Sequence, residues 1–288
     1  MHFREYIKAV DDCIEAVFKS LRGWDENHIS YSICEALQSR LRNRNIEGLG
    51  TPISISWDAF KQKGALERHH GDIAVLVRYA KQDGEDPLSG VGFLEAKVAY
   101  PKSGRYEAID WSQLERISNT TRYSMLLLYN SSEIRGYGDN VAFQQFSASE
   151  EINSYANLSS HACTLQTVTA LRVRATDQRL HDHVIPLSHQ VCNRYLRFMD
   201  LDTDMATVNK ALGWIEKEGG ARFLLVATIK IGALAMPPLN INSEVYERIG
   251  EDKKFGPDGG TGGGKPGAPS LKPIDGATVK RETKLAEA

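Results

Sequence analysis

A strand-like segment in the first half of the chain carries two charged residues whose spacing suggests chemistry. In GFLEAKVAY, Glu95 and Lys97 stand two positions apart among apolar residues. Because side chains alternate between the two faces of a strand, both charged groups are predicted to share one face. The Glu-x-Lys triplet is common by chance, and the chain repeats it at Glu251–Lys253 and Glu282–Lys284. Only the copy at Glu95 lies in an apolar strand, so only that copy suggests a functional site.

Asp72 supplies a second carboxylate for the same site. It follows Gly71 and opens the apolar run Ile73–Val77. The polar stretch KQDGEDPLSG separates this run from the strand of Glu95, so the two strands are predicted to form a hairpin that brings Asp72 beside Glu95. Two carboxylates suit a hard cation such as Mg²⁺. A lysine beside them could orient a water or neutralise charge on a phosphate, which indicates metal-dependent hydrolysis of phosphodiesters.

The elements around these residues are predicted from hydrophobic spacing. Apolar residues recur at helical spacing in Phe3–Leu21 and Ile29–Leu41, and PISISWDAF then alternates as a half-buried strand does. The predicted hairpin follows, then a helical pattern over Ala108–Asn119, and then RYSMLLLYN, which is typical of a buried strand. The predicted order is therefore two helices, three strands, a helix and a strand.

With Asp72 on the second strand and Glu95 and Lys97 on the third, this order resembles the PD-(D/E)XK nuclease superfamily and its restriction-endonuclease-like fold. The resemblance covers under half of the chain, over about Ile29–Asn130. Gly71 stands where the family motif has Pro, a replacement frequent among members. The fold class implied is α/β, with a mixed central sheet flanked by helices and a mostly helical C-terminal elaboration.

The resemblance also implies helper residues, a metal and a substrate. Members often carry a Glu on the helix before the first strand, corresponding to Glu35, and some carry a Gln on the helix after the third, corresponding to Gln113. Asp72, Glu95 and Glu35 would then hold Mg²⁺, for which Mn²⁺ can substitute, and the substrate would be DNA. Stand-alone prokaryotic members often serve in restriction or anti-phage defence beside a sensor or ATPase subunit, and an oligomer is left open.

Each of these residues also has a simpler explanation. Glu95 and Lys97 could form an ion pair on a solvated strand, and Asp72 could be a turn residue. Glu35 and Gln113 could be polar residues on the exposed sides of their helices. The alternative to a nuclease is therefore a catalytically inactive subunit of the same fold that binds nucleic acid or scaffolds a partner protein.

Overall charge gives no case for a nucleic-acid partner. The chain has 35 Lys and Arg against 37 Asp and Glu, a net charge of -2, so such a partner must be met by a local patch. Arg40, Arg42 and Arg44 are the candidates for contacts with the phosphate backbone, although a solvated charged face is the simpler reading of each.

Domain organisation and location follow from composition. Residues 1–135 are predicted to form the nuclease core, 136–250 an elaboration that contributes helices and a strand, and 251–288 a disordered Gly/Pro-rich tail. The four cysteines show no CxxC spacing, and no apolar stretch is long enough to span a membrane. A cytoplasmic protein without a membrane partner is expected.

Overall fold

The computed structural model describes residues 1–47, 52–63, 71–81, 86–121, 123–134, 160–215 and 220–250. These residues belong to one compact unit, Met1–Glu251. The tail expected to be disordered, 251–288, lies outside them. Within the described ranges, no helix combines the length and the apolar character that crossing a membrane requires.

Two helices open the chain, as the sequence predicts. Helix α1 spans Phe3–Ser20 and helix α2 spans Glu26–Arg40. The carboxylate of Asp25 caps α2 by accepting a hydrogen bond from the His28 backbone N–H at 2.9 Å. The apolar faces of both helices are buried in one core with one side of the sheet, so the start of α2 is held firmly against the strands.

The central sheet is mixed and mostly antiparallel. Its neighbouring strands run in the order β1-β2-β8-β3-β4-β5-β6-β7, and β9 pairs with β2. The strands are β1 (Arg44–Ile46), β2 (Ile53–Gln62), β3 (Ile73–Tyr79), β4 (Leu88–Val98), β5 (Ser124–Ile134), β6 (Ser160–Gln166), β7 (Ile185–Pro186), β8 (Phe223–Ile231) and β9 (Tyr246–Arg248). The predicted α/β class with a mixed sheet flanked by helices is thus confirmed.

The predicted hairpin and the following crossover are both present. Strands β3 and β4 pair antiparallel, with Ile73 opposite Leu94. Helix α3, Trp111–Thr120, then leads to β5, which lies parallel to β4 with Glu95 opposite Leu126. A parallel pair needs such a crossover connection, so the strand carrying Glu95 and Lys97 is fixed on both sides by elements that the sequence anticipates.

Strand β8 departs from the predicted arrangement. It lies between β2 and β3, antiparallel to β2 and parallel to β3, so the first three predicted strands do not form an uninterrupted meander. Its central position fits its sequence, because RFLLVATIKIGAL is apolar enough to be buried on both faces. Residues on the two sides of the boundary expected near 135 therefore share one sheet.

Among the described residues, the region predicted to add helices and one strand contributes the strands β6 to β9 and several short helices. These helices are a 3₁₀ segment (Gln178–His183), α4 (Thr167–Val173), α5 (Leu187–His189) and α6 (Met205–Ala211). A π-helical turn, Gln190–Arg194, and a 3₁₀ turn, Tyr195–Arg197, prolong α5. This prolonged helix crosses β4, where Gly92 makes room for it: a Cβ at Gly92 would lie 2.8 Å from the Tyr195 ring.

We expect Gly92→Ala to destabilise the protein by about 1–3 kcal/mol, the usual cost of overpacking a well-packed interior. Tyr195 is fully buried and cannot swing away from the added methyl group. Gly23→Ala is the control, because a Cβ at Gly23 meets nothing within 4 Å. Urea unfolding monitored by circular dichroism measures both changes, and equal midpoints for Gly92→Ala and the wild type would contradict the prediction.

Candidate active site

The predicted site residues meet at the edge of the sheet where β3 begins and β4 continues past it. The Asp72 backbone N–H donates to the Leu94 carbonyl at 2.9 Å, and the Asp72 carbonyl accepts from the Phe223 N–H at 2.9 Å. Oδ2 of its carboxylate accepts from the Ala96 N–H at 2.9 Å. Strand β4 continues beyond the point where β3 begins, so β3 cannot pair with its last residues. The carboxylate of Asp72 provides the missing hydrogen-bond partner there.

The residue before Asp72 explains the departure from the family motif. Gly71 has φ +84°, and a Cβ there would lie 2.8 Å from the Leu94 carbonyl oxygen. Proline is locked near φ −65°, so it cannot adopt this conformation, and other L residues would be strained in it. Glycine at this position is thus required by the tight entry into β3.

Glu95 and Lys97 share one face of β4, as the period-two pattern predicts. The Lys97 ammonium donates to Glu95 Oε1 at 2.6 Å and to the Ala96 carbonyl at 2.7 Å. Glu95 is 2% exposed and Lys97 6% exposed, which excludes the alternative of a solvated surface pair. A buried pair of this kind is desolvated and must be compensated by its immediate neighbours.

Glu26 is the carboxylate that the sequence reasoning missed. It is the first residue of α2, and its Oε2 lies 3.7 Å from the Lys97 ammonium. The start of a helix favours negative charge, because its unpaired N–H groups and its dipole are positive there. The signal that could have identified Glu26 is its position directly after the capping residue Asp25, at the end of α2 that faces the sheet edge.

Electrostatics mark these four residues as one coupled group. The pKa of Glu26 is raised to about 7, mainly by burial, with Lys97 opposing the change and the nearby Asp72 and Glu95 carboxylates adding to it. Burial alone would lower the pKa of Lys97, but Glu95, Glu26 and Asp72 together outweigh it and raise that pKa. The ammonium is therefore held in its charged form, while the carboxylates retain an excess of negative charge.

A second cation reaches this edge from the inserted strand. Arg222 directly precedes β8, and its guanidinium donates a hydrogen bond to the side-chain oxygen of Asn27. Its charge lowers the pKa of Glu26, which shows that it acts on the same group of carboxylates. Sequence periodicity could not place Arg222 here, because its position depends on the long-range insertion of β8 between β2 and β3.

Two predicted helper residues do not join the group. Glu35 is exposed on α2, nine residues after Glu26, which places it roughly half a turn away around the helix and about 13 Å further along it. Gln113 lies half-buried in the first turn of α3, where its backbone N–H donates to Asp110. In the described part of the chain, no hydrogen bond links its side chain to Asp72, Glu95 or Lys97.

The three arginines predicted to contact a phosphate backbone lie at the opposite end of α2. Arg40 ends the helix, and Arg42 and Arg44 follow it, all with exposed side chains. A helix rises 1.5 Å per residue, so Arg40 is about 20 Å from Glu26 along the axis. These arginines do not line the carboxylate group, and Arg222 is the arginine that does.

The carboxylates at the sheet edge are bound to other groups rather than to one another. Glu95 and Glu26 face the Lys97 ammonium, and Asp72 Oδ2 caps the β4 backbone. Across the described ranges, the one set of three His, Cys, Asp or Glu ligand atoms within 4.8 Å of one another is Glu15, Glu133 and His161. A cation shared by Glu26, Asp72 and Glu95 would thus require their carboxylates to move closer together.

The raised pKa of Glu26 predicts a pH-dependent effect of Glu26→Gln on stability. The unfolded chain releases this proton near pH 4.5 and the folded chain near 7, so ionisation of Glu26 destabilises the fold increasingly between these values and fully above them. Glutamine removes this cost. In metal-free buffer the variant should be more stable than the wild type by about 1–3 kcal/mol near pH 8.5 and by little near pH 4.5.

Glu35→Gln on the exposed side of the same helix is the matched control for urea unfolding at both pH values. It should leave stability nearly unchanged, because its carboxylate is exposed. A stabilisation by Glu26→Gln that is equal at both pH values, or one that Glu35→Gln reproduces, would show that burial of the Glu26 charge is not its cause.

Comparison with known protein families, with curated proteins and with solved structures finds no match to this chain. The site is therefore interpreted from its own residues and from the resemblance of its motif.

Proposed function

We propose that this chain is a Mg²⁺-dependent nuclease that hydrolyses phosphodiester bonds in DNA, with a restriction-endonuclease-like core of the PD-(D/E)XK superfamily. One observation supports this proposal above the others: a buried lysine ammonium lies 2.6 Å from a buried carboxylate at a sheet edge. Asp72 and Glu26 act electrostatically on the same ammonium. A purely structural ion pair needs one carboxylate, whereas this lysine lies beside two, Glu95 at 2.6 Å and Glu26 at 3.7 Å.

The residues at the sheet edge fit a hard divalent cation. Glu26, Asp72 and Glu95 offer only oxygen donors, the type that Mg²⁺ prefers. Their three formal negative charges exceed the two positive charges of Lys97 and Arg222, and the Asp72 and Glu95 carboxylates add to the rise in the pKa of Glu26 that burial mainly causes. A divalent cation would relieve this excess, so Asp72, Glu95 and Glu26 are the ligands that we assign, with Glu26 in the role predicted for Glu35.

The roles of the side chains follow from their positions. When bound, Mg²⁺ would polarise the phosphate and lower the pKa of a nearby water. Lys97 would neutralise charge that develops on the phosphate oxygens, and its burial would strengthen that effect because little water screens it. Two backbone hydrogen bonds and one carboxylate hydrogen bond hold Asp72 against β4 and β8, so the residue stays at the start of β3 before the substrate binds. Arg222 would contact a phosphate at the same edge.

The choice of substrate and biological setting rests on the motif. DNA rather than RNA, and a role in restriction or anti-phage defence beside a sensor or ATPase subunit, are implied by the superfamily resemblance alone. Arg222 is consistent with any phosphate-bearing polymer, because a guanidinium recognises the phosphate and not the base.

Cleavage assays with plasmid and single-stranded DNA test the proposed reaction. We expect cleavage with Mg²⁺ or Mn²⁺, none with EDTA, and a loss of at least about 100-fold in rate for Glu95→Gln and for Lys97→Met. Glu35→Gln should cleave at the wild-type rate, because its side chain is exposed and away from the group. Circular dichroism is needed for Lys97→Met, because removing Lys97 leaves Glu95 buried without its ion pair.

Cleavage that persists in EDTA or in both variants would contradict the proposed site. DNA binding without cleavage in any metal would instead support the catalytically inactive subunit. In that case Lys97, Glu95 and Asp72 would serve only to close the sheet edge.

A further inference from the structure

A second cluster of metal-binding residue types lies on a different part of the fold and uses a different set of donors. Glu15 on α1, Glu133 on β5 and His161 on β6 each offer a ligand atom, and these atoms lie within 4.8 Å of one another. The three residues come from elements far apart in the sequence. We propose that Glu15, Glu133 and His161 form a binding site for a divalent transition metal ion of the Zn²⁺ type.

Helix α1 orients the imidazole that would bind the ion. Glu15 Oε1 accepts from the His161 backbone N–H at 2.9 Å, and Oε2 lies 2.5 Å from the ring nitrogen Nδ1. Phe18, one turn further along α1, stacks on the ring with 5.1 Å between centroids and 17° between planes. The contacts with Glu15 and Phe18 therefore fix the orientation of the ring before an ion binds.

The irregularity in β5 supplies the third ligand. Tyr129 pairs with Ala162 and Ile134 with Ser160, so residues 130–133 of β5 lie opposite the single residue His161. This bulge takes Glu133 out of the regular ladder and leaves it next to His161. Bulges often re-aim a side chain towards a site. Glu133 is exposed, so it lies on the solvent side of the cluster.

The donor set selects the class of ion. An imidazole nitrogen with two carboxylates suits Zn²⁺ or a related transition metal, whereas Mg²⁺ prefers oxygen ligands and keeps several waters. Zinc bonds of about 2.0–2.2 Å place neighbouring ligand atoms about 3.3–3.6 Å apart. Nδ1 and Oε2, now 2.5 Å apart, would therefore separate by about 1 Å to admit the ion, while the Glu133 ligand atom already lies within 4.8 Å of both residues' ligand atoms. The ion would replace the proton shared by Nδ1 and Oε2, and a fourth position would face solvent.

An ion pair between His161 and Glu15 is the competing explanation. Both side chains are mostly buried, at 15% and 12% exposure, and their contact alone fixes β6 to α1. It does not involve Glu133. The exposed Glu133 is therefore the residue whose removal separates a metal site from an ion pair.

The test is a zinc titration of the full chain after removal of metal with a chelator. Calorimetry near pH 7.5 and elemental analysis should show one Zn²⁺ bound per chain at this site, released protons and a raised melting temperature. Glu133→Gln and His161→Gln should each weaken binding at least about tenfold. Asp12→Asn, a neighbouring carboxylate on α1 that is 63% exposed, should bind as the wild type does.

Asp72→Asn separates the two sites. It alters the proposed Mg²⁺ centre and should leave zinc binding unchanged, so failure of the nuclease proposal does not affect this one. Absence of zinc uptake by the wild type, or zinc binding by Glu133→Gln as tight as that of the wild type, would overturn the proposal. Glu133→Gln lies on the surface, so it also decides the question if His161→Gln does not fold.

Discussion

The burial of the Lys97 ammonium against Glu95 is the constraint on which the rest of the site depends. Two charges removed from water must be compensated by partners in good geometry, or the fold loses several kcal/mol. Lys97 pairs with Glu95 on β4 itself and with Glu26 at the start of α2, and the charge of Asp72 before β3 acts on the same ammonium. The positions of α2 and β3 relative to β4 are therefore tied to the charge on one side chain.

The backbone of β4 also has a buried polar group that needs a partner at this place, and Asp72 provides that partner. Strand β4 continues past the start of β3, so the Ala96 N–H has no partner from the β3 ladder and donates to the Asp72 carboxylate instead. A buried backbone N–H without a partner costs about as much as a lost hydrogen bond. One carboxylate thus completes the sheet edge while adding negative charge near Lys97. Structural and chemical roles coincide in Asp72, and this explains why Gly71 must accept a left-handed conformation to position it.

Local sequence patterns predicted those features of the site that depend on residues close together in the sequence. Period-two alternation placed Glu95 and Lys97 on one face, and turn residues predicted the hairpin with Asp72. The position of β8 could not be predicted, because its pairing with β2 and β3 joins residues more than 140 positions apart, and no periodicity records such a partner. Glu26 was overlooked in favour of Glu35 for a different reason. Both lie on α2, and they differ in helix phase and in distance along the axis from the sheet edge, neither of which the sequence determines relative to the strands.

The two carboxylate clusters differ in how their charge is balanced, and this separates their chemistry. Between them lies an aromatic group in which Phe18 contacts His161, Trp24 and Tyr129, while Trp24 donates to the Ala99 carbonyl two residues beyond Lys97 at 2.7 Å. These rings carry no net charge and exclude water. The charges of one cluster are therefore not neutralised by the charges of the other. Near Lys97 the donors are oxygens with excess negative charge, which favours a hard cation. At His161 a nitrogen donor is balanced by Glu15, which favours an ion that replaces their shared proton.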